Sequence, residues 1–193
     1  MKTYLDFAST TPMATEVIEE MHAVMSEASF GNPSSLDHEY GIKAKNIIEE
    51  SRNEVAILIN AKPEEIVWTS GATESNNLAI VGFHQFQYKN QALRFVTSHL
   101  EHKSVIESLQ SVEALGSNVS YIQPNKDGQI DLETFVSQLD PNTTFVSCMH
   151  INNETGAVND IANIGKYCRK NEIIFHVDAA QSVGKIPIDV NDM

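Results

Sequence analysis

Four short segments of this chain share one pattern: an apolar run rich in β-branched and aromatic residues ends in polar groups, and a helical pattern follows. The runs are residues 66–69, 94–98, 145–149 and 173–177. Such alternation is typical of an α/β fold with a mostly parallel sheet flanked by helices. Because the carboxyl ends of parallel strands meet at one edge of a sheet, we expect the four polar clusters to form one site.

The same periodicities predict the remaining elements. A further strand is expected near residues 119–122, and helices are expected near residues 74–87, 103–115, 131–139 and 160–171. Before them the sequence predicts a helix after Pro12, a loop at residues 31–35 and a second helix at residues 40–59. No dinucleotide glycine fingerprint accompanies these strands, so a nicotinamide-dependent dehydrogenase is disfavoured.

The charge of the chain narrows the classes of partner. Its 193 residues include 13 Lys and Arg against 26 Asp and Glu, a formal net charge of −13. Nucleic acids and anionic membranes attract clustered positive charge, so neither is an expected partner. Solubility is the simplest interpretation of the acidity, and it leaves room for a small anionic ligand held by backbone donors.

The sequence predicts a reducing, cytoplasmic location. Asp6 interrupts the first apolar stretch, so a secretory signal pattern is not recognised. No apolar run is long enough to span a bilayer. Two cysteines, Cys148 and Cys168, are too few for a disulfide framework.

Asp178 most restricts the chemistry of the predicted site. It follows the apolar run at residues 173–177, at the strand end where open α/β sheets bind ligands. A carboxylate there needs a partner, because burying an unpaired charge is unfavourable. A cationic ring nitrogen of a cofactor, an arginine, or solvent at a loop would each serve, and the pattern leaves all three open.

The turn at residues 70–73 is a candidate anion site. Its small residues let backbone N–H groups approach an anion, and the amino end of the following helix favours negative charge. Thr73 adds a hydroxyl donor. The same turn also fits a simple helix cap formed by Ser70 or Thr73. It is not a P-loop, because no Lys follows at the required position.

Two histidines follow the strand predicted at residues 94–98. His99 and His102 flank Leu100 and Glu101, a spacing one residue short of the inverted zinc motif and without a further ligand. We therefore do not expect a metal. A histidine at this position can stack on a planar ligand or transfer a proton, and it can also be a surface or capping residue.

The candidate nucleophiles have simpler explanations. Lys185 lies in a predicted loop, where a solvated lysine is favoured over one that forms a Schiff base. Cys148 lies in a strand pattern and Cys168 in a helical pattern, and both are better explained as packed core thiols. Residues 125–131 resemble a calcium loop only faintly, lack its terminal Glu, and are interpreted as a polar turn.

Together these motifs resemble the cysteine desulfurases, pyridoxal-phosphate enzymes of the class V aminotransferase group. The similar stretches follow the family order along the whole chain: residues 4–12, 30–35, 69–79, 101–103, 149–156 and 176–185. Residues 102–103 and 152–154 are more similar to the branch that supplies sulfur for iron–sulfur cluster assembly and tRNA thiolation than to selenocysteine lyases. The resemblance implies an aminotransferase-like large domain of the PLP fold type I.

The resemblance also implies how pyridoxal 5'-phosphate would be bound. Ala72 and Thr73 would hold its phosphate, and His102 would stack on its ring and assist proton transfer. Asp178 would pair with the ring nitrogen and keep it protonated, so that the ring acts as an electron sink. Gln181 would bond the phenolate oxygen of the ring.

The implied reaction converts L-cysteine to L-alanine and leaves the sulfur on the enzyme as a persulfide. Asn153 would lie near the ring oxygen and the substrate carboxylate, with Asn32 also near the substrate. The sulfur would then pass to an acceptor such as an iron–sulfur scaffold protein. The family forms homodimers, so a homo-oligomer is the expected assembly.

The chain departs from the family pattern at its end. The family's Schiff-base lysine, persulfide-forming cysteine, carboxylate-binding arginine and carboxy-terminal domain would all follow Met193. We therefore expect a truncated large domain over residues 1–193, with an amino-terminal helical segment at residues 1–60 and an α/β part at residues 61–193. We expect this polypeptide alone to be inactive, and its sheet to be split by a gap with unpaired edges where two family strands are absent.

Two alternatives remain open. The chain would be a naturally short, non-catalytic relative that acts as a binding module, or a portion of another class V aminotransferase. The coding sequence after Met193 separates the first alternative from a desulfurase. Production of sulfide rather than a keto acid separates the second.

Overall fold

The computed structural model describes residues 3–26, 30–87 and 92–193 and divides into two compact units, Met1–Val67 and Trp68–Met193. The first unit contains helices α1 (Thr15–Val24) and α2 (Glu39–Leu58) and a short 3₁₀ turn at Pro63–Glu65. Both helices were predicted, because their apolar residues recur at helical spacing.

Helix α2 begins where two backbone segments approach closely. The side chain of His38 accepts a hydrogen bond from the backbone N–H of Gly41 at 3.1 Å and caps the helix. A Cβ on Gly41 would lie 1.7 Å from the carbonyl oxygen of Ser35, so this turn admits glycine alone. Helix α1 has no buried residue among those described.

The second unit is built on a four-stranded sheet. Its strands are β1 (Arg94–Ser98), β2 (Asn118–Ile122), β3 (Phe145–Ser147) and β4 (Ile174–His176). They lie in the order β2-β1-β3-β4, and every pair is parallel. The predicted parallel α/β sheet is therefore confirmed.

Four helices connect and flank these strands: α3 (Ala72–Gln87), α4 (Lys103–Ala114), α5 (Leu132–Gln138) and α6 (Ile161–Lys170). Parallel strands need such crossover connections, because a tight turn cannot return the chain to the same end of the sheet. Three of the helices are capped by side chains that accept backbone N–H groups, from His102 for α4, Asp131 for α5 and Asp160 for α6.

The core lies on both faces of the sheet. Phe95 and Phe145 point to one face, where they pack with residues of α3 and α4 such as Leu109. Their sequence neighbours Val96 and Val146 point to the other face and pack under α5 and α6. Successive side chains of a strand alternate between faces, so one pair of strands supplies both halves of the core.

One predicted strand is wrong. Residues 66–69 do not form a strand, although their β-branched and aromatic composition predicts one. Val67 is 66% exposed and Trp68 is 48% exposed. A strand exists only where a neighbouring backbone completes its hydrogen bonds, and the described residues place no strand beside this segment.

Strands β3 and β4 are shorter than predicted, but their pairing continues toward the site. The backbone N–H of Cys148 donates to the carbonyl of His176, and the N–H of His150 donates to the carbonyl of Asp178. These bonds bring residue 178 beside the end of β3.

Within the described ranges, no helix is long and apolar enough to cross a membrane.

Candidate active site

A cleft of about 110 Å³ lies at the carboxyl end of the sheet in the second unit. Its walls are formed by Ala72, His102, Met149, Ile151, Asn153, Asp178, Ala180 and Gln181. These residues come from the start of α3, the cap of α4, and the loops after β3 and β4. The polar clusters that follow separate strands therefore meet at one edge of the sheet, as expected for a parallel arrangement.

Asp178 lies in the wall of this cleft and is buried, with 8% of the residue exposed. One oxygen, Oδ2, accepts a hydrogen bond from Asn76 Nδ2 at 2.9 Å. The other, Oδ1, accepts one from the backbone N–H of Ala180 at 3.0 Å. Both donors are neutral, and no lysine or arginine of the described chain forms an ion pair with Asp178. Within the described residues no arginine partners Asp178, and its pairing with a cationic ring nitrogen stays a prediction.

His102 reaches the same cleft from the first turn of α4. Its Nδ1 accepts the backbone N–H of Ser104 at 3.2 Å and lies 2.8 Å from Ser104 Oγ. The capping role that the sequence left open for this histidine is therefore present. Because Nδ1 faces inward, Nε2 is the nitrogen left to face the cleft.

The candidate anion turn lies at the start of α3. Ala72 lines the cleft, whereas Thr73 follows it on the same turn and does not. The first backbone N–H groups of a helix have no partner within the helix, so this turn presents donors beside the cleft. Ser70 is not an acceptor cap: its backbone N–H and its hydroxyl both donate to Glu74 Oε2, which lowers the pKa of that carboxyl.

Asn153 is held by the residue before it. Asn152 is buried, and its Oδ1 accepts the backbone N–H groups of Glu154 and Thr155 at 2.9 and 2.8 Å. Its Nδ2 donates to the carbonyl of Leu100 at 2.9 Å, which ties the loop after β3 to the loop after β1. These bonds of Asn152 position Asn153, which lines the cleft.

Gln181 and Lys185 are neighbours at the open side of the site. Gln181 lines the cleft, and its Oε1 accepts a hydrogen bond from Lys185 Nζ at 3.2 Å. Lys185 is exposed and is not part of the cleft wall, as expected for a loop lysine. Asn32 belongs to the first unit, where its Oδ1 accepts the backbone N–H of Ser34, and its role toward a substrate stays a prediction.

A second carboxyl group is buried next to the site. Glu101 is 8% exposed, and its Oε1 accepts the Ser98 hydroxyl and the backbone N–H of Met149, each at 2.9 Å. Its other oxygen, Oε2, is buried without a hydrogen-bond partner. Burial raises the pKa of Glu101 to about 7, and the charge of nearby Asp178 adds to the effect. Burial also lowers the pKa of His150, at the end of β3.

The remaining candidates lie outside the cleft. Cys148 and Cys168 are buried free thiols in the core, and burial raises both pKa values, that of Cys168 to about 12. They are packed thiols, as predicted. His99 packs against Tyr121 with the two rings tilted and their centroids 5.1 Å apart. Asn125 Oδ1 accepts two backbone N–H groups and closes the predicted polar turn.

Over residues 3–26, 30–87 and 92–193, no cluster of His, Cys, Asp and Glu is suited to a metal.

Asn76 and Ser104, for which the sequence motifs gave no role, lie behind Asp178 and His102 and are hydrogen-bonded to them. Both are buried and hydrogen-bonded to each other. A signal was present: Asn76 lies one turn before buried Ile80, and Ser104 one turn before buried Ser108. A polar residue on the apolar face of a helix is buried, and it therefore needs a polar partner.

Comparisons with known proteins agree with this architecture. The chain matches the family described as Aminotransferase class-V over residues 3–193. It is 49% identical over 191 residues to a protein of Shewanella sediminis named cysteine desulfurase IscS, and 46% identical over 191 residues to a protein of that name from Vibrio cholerae. Each alignment covers 98% of this chain and 47% of the relative, so the chain spans about half the length of the curated relatives that it matches.

Solved structures give the same result. The structure of SspA in complex with cysteine superposes with a TM-score of 0.92 at 39% identity, covering 99% of this chain and 54% of that chain. DndA from Streptomyces lividans superposes with a TM-score of 0.83 at 40% identity, covering 98% of this chain and 52% of that chain. These similarities confirm the aminotransferase-like fold and the resemblance stated from the sequence motifs.

Proposed function

Because the chain belongs to the class-V aminotransferase family, we propose that residues 1–193 form the cofactor-recognising portion of a pyridoxal-phosphate-dependent cysteine desulfurase. The observation that supports this most strongly is the carboxylate of Asp178, which is buried in the cleft wall and bonded only to neutral donors. Such a group stabilises a ligand that brings a positive charge.

The residues of the cleft fit pyridoxal phosphate by the chemistry of their side chains. A protonated pyridine nitrogen matches Asp178, and a phosphate matches the N–H groups at the start of α3 near Ala72 and Thr73. The ring of His102 is available for stacking on a planar ligand, and the amide of Gln181 can bond an oxygen of the ring. The cofactor was the one implied by the sequence motifs, and the family to which the chain belongs uses it.

When bound, pyridoxal phosphate supplies an electron sink that accepts negative charge from the substrate. Asp178 strengthens that sink by keeping the ring nitrogen protonated. His102 moves a proton through Nε2, because Nδ1 is occupied by Ser104. Asn153 positions the substrate carboxylate and the ring oxygen from the loop after β3.

The substrate of the intact protein, in this proposal, is L-cysteine, and its sulfur passes to an acceptor such as an iron–sulfur scaffold protein. The relatives named cysteine desulfurase and the cysteine-bound SspA structure support this choice. We assign Asn32 to the substrate side of the site and expect a cytoplasmic homo-oligomer. The two free, buried thiols accord with a reducing compartment.

The described residues do not complete the reaction by themselves. The cleft wall contains no lysine that could bind the cofactor covalently and no cysteine that could receive sulfur. Both cysteines of the chain are buried in the core, and Lys185 is bonded to Gln181 outside the wall. We therefore expect the 193-residue polypeptide to release no alanine from cysteine.

A chimera tests the proposal. Residues 1–193 replace the corresponding portion of the Shewanella sediminis relative, and alanine and sulfide are measured from L-cysteine with a thiol reductant. We expect equal amounts of both products from the chimera, and none from the 193-residue polypeptide or from a chimera carrying Asp178→Ala. A chimera that binds the cofactor but forms a keto acid would identify another class V aminotransferase, and turnover by the 193-residue polypeptide would refute the expected inactivity.

A further inference from the structure

A buried network of hydrogen bonds joins Asp178 and His102, the two groups that flank the proposed cofactor site. The Nδ2 atom of Asn76 donates to Asp178 Oδ2 and to Ser104 Oγ, each at 2.9 Å. Ser104 Oγ in turn lies 2.8 Å from His102 Nδ1. Asn76 is 3% exposed and Ser104 is 4% exposed, so water does not compete for these bonds.

The hydrogen bonds of this network all run in one consistent direction from donor to acceptor. An amide Nδ2 group carries two protons and no acceptor, so Asn76 donates both. Ser104 Oγ accepts one of them, which leaves its own proton free for His102 Nδ1. The backbone N–H of Ser104 also points at that nitrogen, at 3.2 Å. His102 Nδ1 is therefore an acceptor, and in the neutral ring the proton resides on Nε2, toward the cleft.

We propose, on the basis of the function proposed above, that Asn76 and Ser104 are positioning residues: Asn76 orients the Asp178 carboxylate, and Ser104, itself held by Asn76, fixes the ring and tautomer of His102. The amide of Asn76 thus orients both Asp178, which faces the ring nitrogen, and His102, which transfers a proton. Neither residue needs to touch the cofactor.

The two residues are expected to affect different steps. Asn76 bonds Asp178 directly, so its loss weakens cofactor binding as well as turnover. Ser104 makes no bond to Asp178, so its loss acts mainly on His102 and leaves the bond from Asn76 to Asp178 in place. A difference between cofactor affinity and kcat therefore separates the two branches of the network, and a general loss of packing would not produce it.

The test uses the holoenzyme chimera that carries residues 1–193. Cofactor dissociation constants come from titration of the apoenzyme, and kcat and KM from alanine release. We expect Asn76→Ala to raise the cofactor dissociation constant about tenfold and to lower kcat by a similar factor. Ser104→Ala should lower kcat about tenfold while KM and the cofactor dissociation constant stay within about twofold.

Two further variants control for folding. Ser108→Ala removes a hydroxyl from the same buried face of α4, where it bonds the backbone carbonyl of Ser104, and it should leave all three constants within about twofold. Asn76→Leu fills the same space but has no donor for Asp178. It should raise the cofactor dissociation constant about as much as Asn76→Ala does, whereas a space-filling role would leave that constant close to the value of the unsubstituted chimera.

The outcomes are distinct. If the unsubstituted chimera binds cofactor and turns over cysteine but the Asn76 and Ser104 variants match Ser108→Ala, the positioning role is overturned and the proposed function stands. If Asn76→Leu binds cofactor as well as the unsubstituted chimera, the network is a packing feature and the proposal is again overturned. If the unsubstituted chimera neither binds cofactor nor releases alanine, the proposed function fails and this inference fails with it.

Discussion

Glu101 is a carboxyl group that the fold holds almost entirely out of water, beside another carboxylate. Burial raises its pKa to about 7, although the hydrogen bonds from Met149 and Ser98 act in the opposite direction. One oxygen accepts both of these bonds, and the other has no partner. At neutral pH the group is therefore close to its titration point within the folded protein.

This environment predicts a loss of stability as the pH rises. The folded-state pKa of Glu101, about 7, lies above the ordinary value of 4.5, so between these values the folded state binds more protons than the unfolded state. The contribution of Glu101 to the free energy of unfolding should thus be fully present below pH 4.5 and be lost toward pH 7, by up to about 3 kcal/mol. Urea unfolding at several pH values measures it.

Two substitutions isolate the effect of this one group. Glu101→Gln removes the titration but keeps an acceptor for Ser98 and Met149. The free energy of unfolding of wild type, relative to that of the variant, should therefore fall as the pH rises from 4.5 to 7. Glu133→Gln, on the surface of α5, should run parallel to wild type. A constant difference between wild type and Glu101→Gln over this pH range would contradict the assignment.

At the level of single residues, sequence motifs singled out five of the residues that line the cleft, namely Ala72, His102, Asn153, Asp178 and Gln181, but not those that support them. Asp178 and His102 were found because each follows a strand pattern and matches a family motif. Their support by Asn76 and Ser104 depends on contacts between residues far apart in the chain, such as the bond that joins positions 76 and 178. No local pattern encodes such a bond, because it exists only after α3, α4 and the sheet have packed.

Helix α4 shows how one element depends on its buried face. Val105, Leu109 and Val112 recur at helical spacing, and all three are fully buried against Phe95 and Phe145. Leu109→Ala should therefore lower the free energy of unfolding by about 2–5 kcal/mol, because it removes buried apolar surface and leaves a cavity. Leu115, at the end of the same helix, is 53% exposed, and Leu115→Ala should lower it by no more than about 1 kcal/mol. Urea unfolding of both variants checks this, and equal losses would contradict the described packing.

Every predicted helix is present in the described part of the chain, whereas one of the five predicted strands is not. The predicted helix at residues 103–115 is Lys103–Ala114, since a helix closes its backbone bonds within itself. Residues 66–69 have an equally clear strand composition, yet they remain outside the sheet. Composition indicates only that a segment suits a strand, and the partner that would complete it lies elsewhere in a fold.

For the whole molecule, cofactor binding and folding should be linked, because the cleft is assembled from α3, α4 and two loops that come together only in the folded state. The probe is pyridoxamine phosphate, which lacks the aldehyde and therefore cannot react with surface lysines. At 100 times its dissociation constant it should raise the free energy of unfolding of the 193-residue polypeptide by about 2.7 kcal/mol. Urea unfolding at increasing ligand concentration measures the effect.

Substitutions that remove one negative charge show whether this stabilisation depends on Asp178. Asp178→Asn keeps an acceptor for Asn76 but removes the negative charge that a protonated ring nitrogen requires, so most of the ligand-dependent stabilisation should disappear. Asp127→Asn removes the same charge from an exposed turn and should leave it intact. Equal stabilisation of both variants would place the ligand outside the cleft. Inorganic phosphate should reproduce only a small part of the effect, because a phosphate bound at the start of α3 would not reach Asp178.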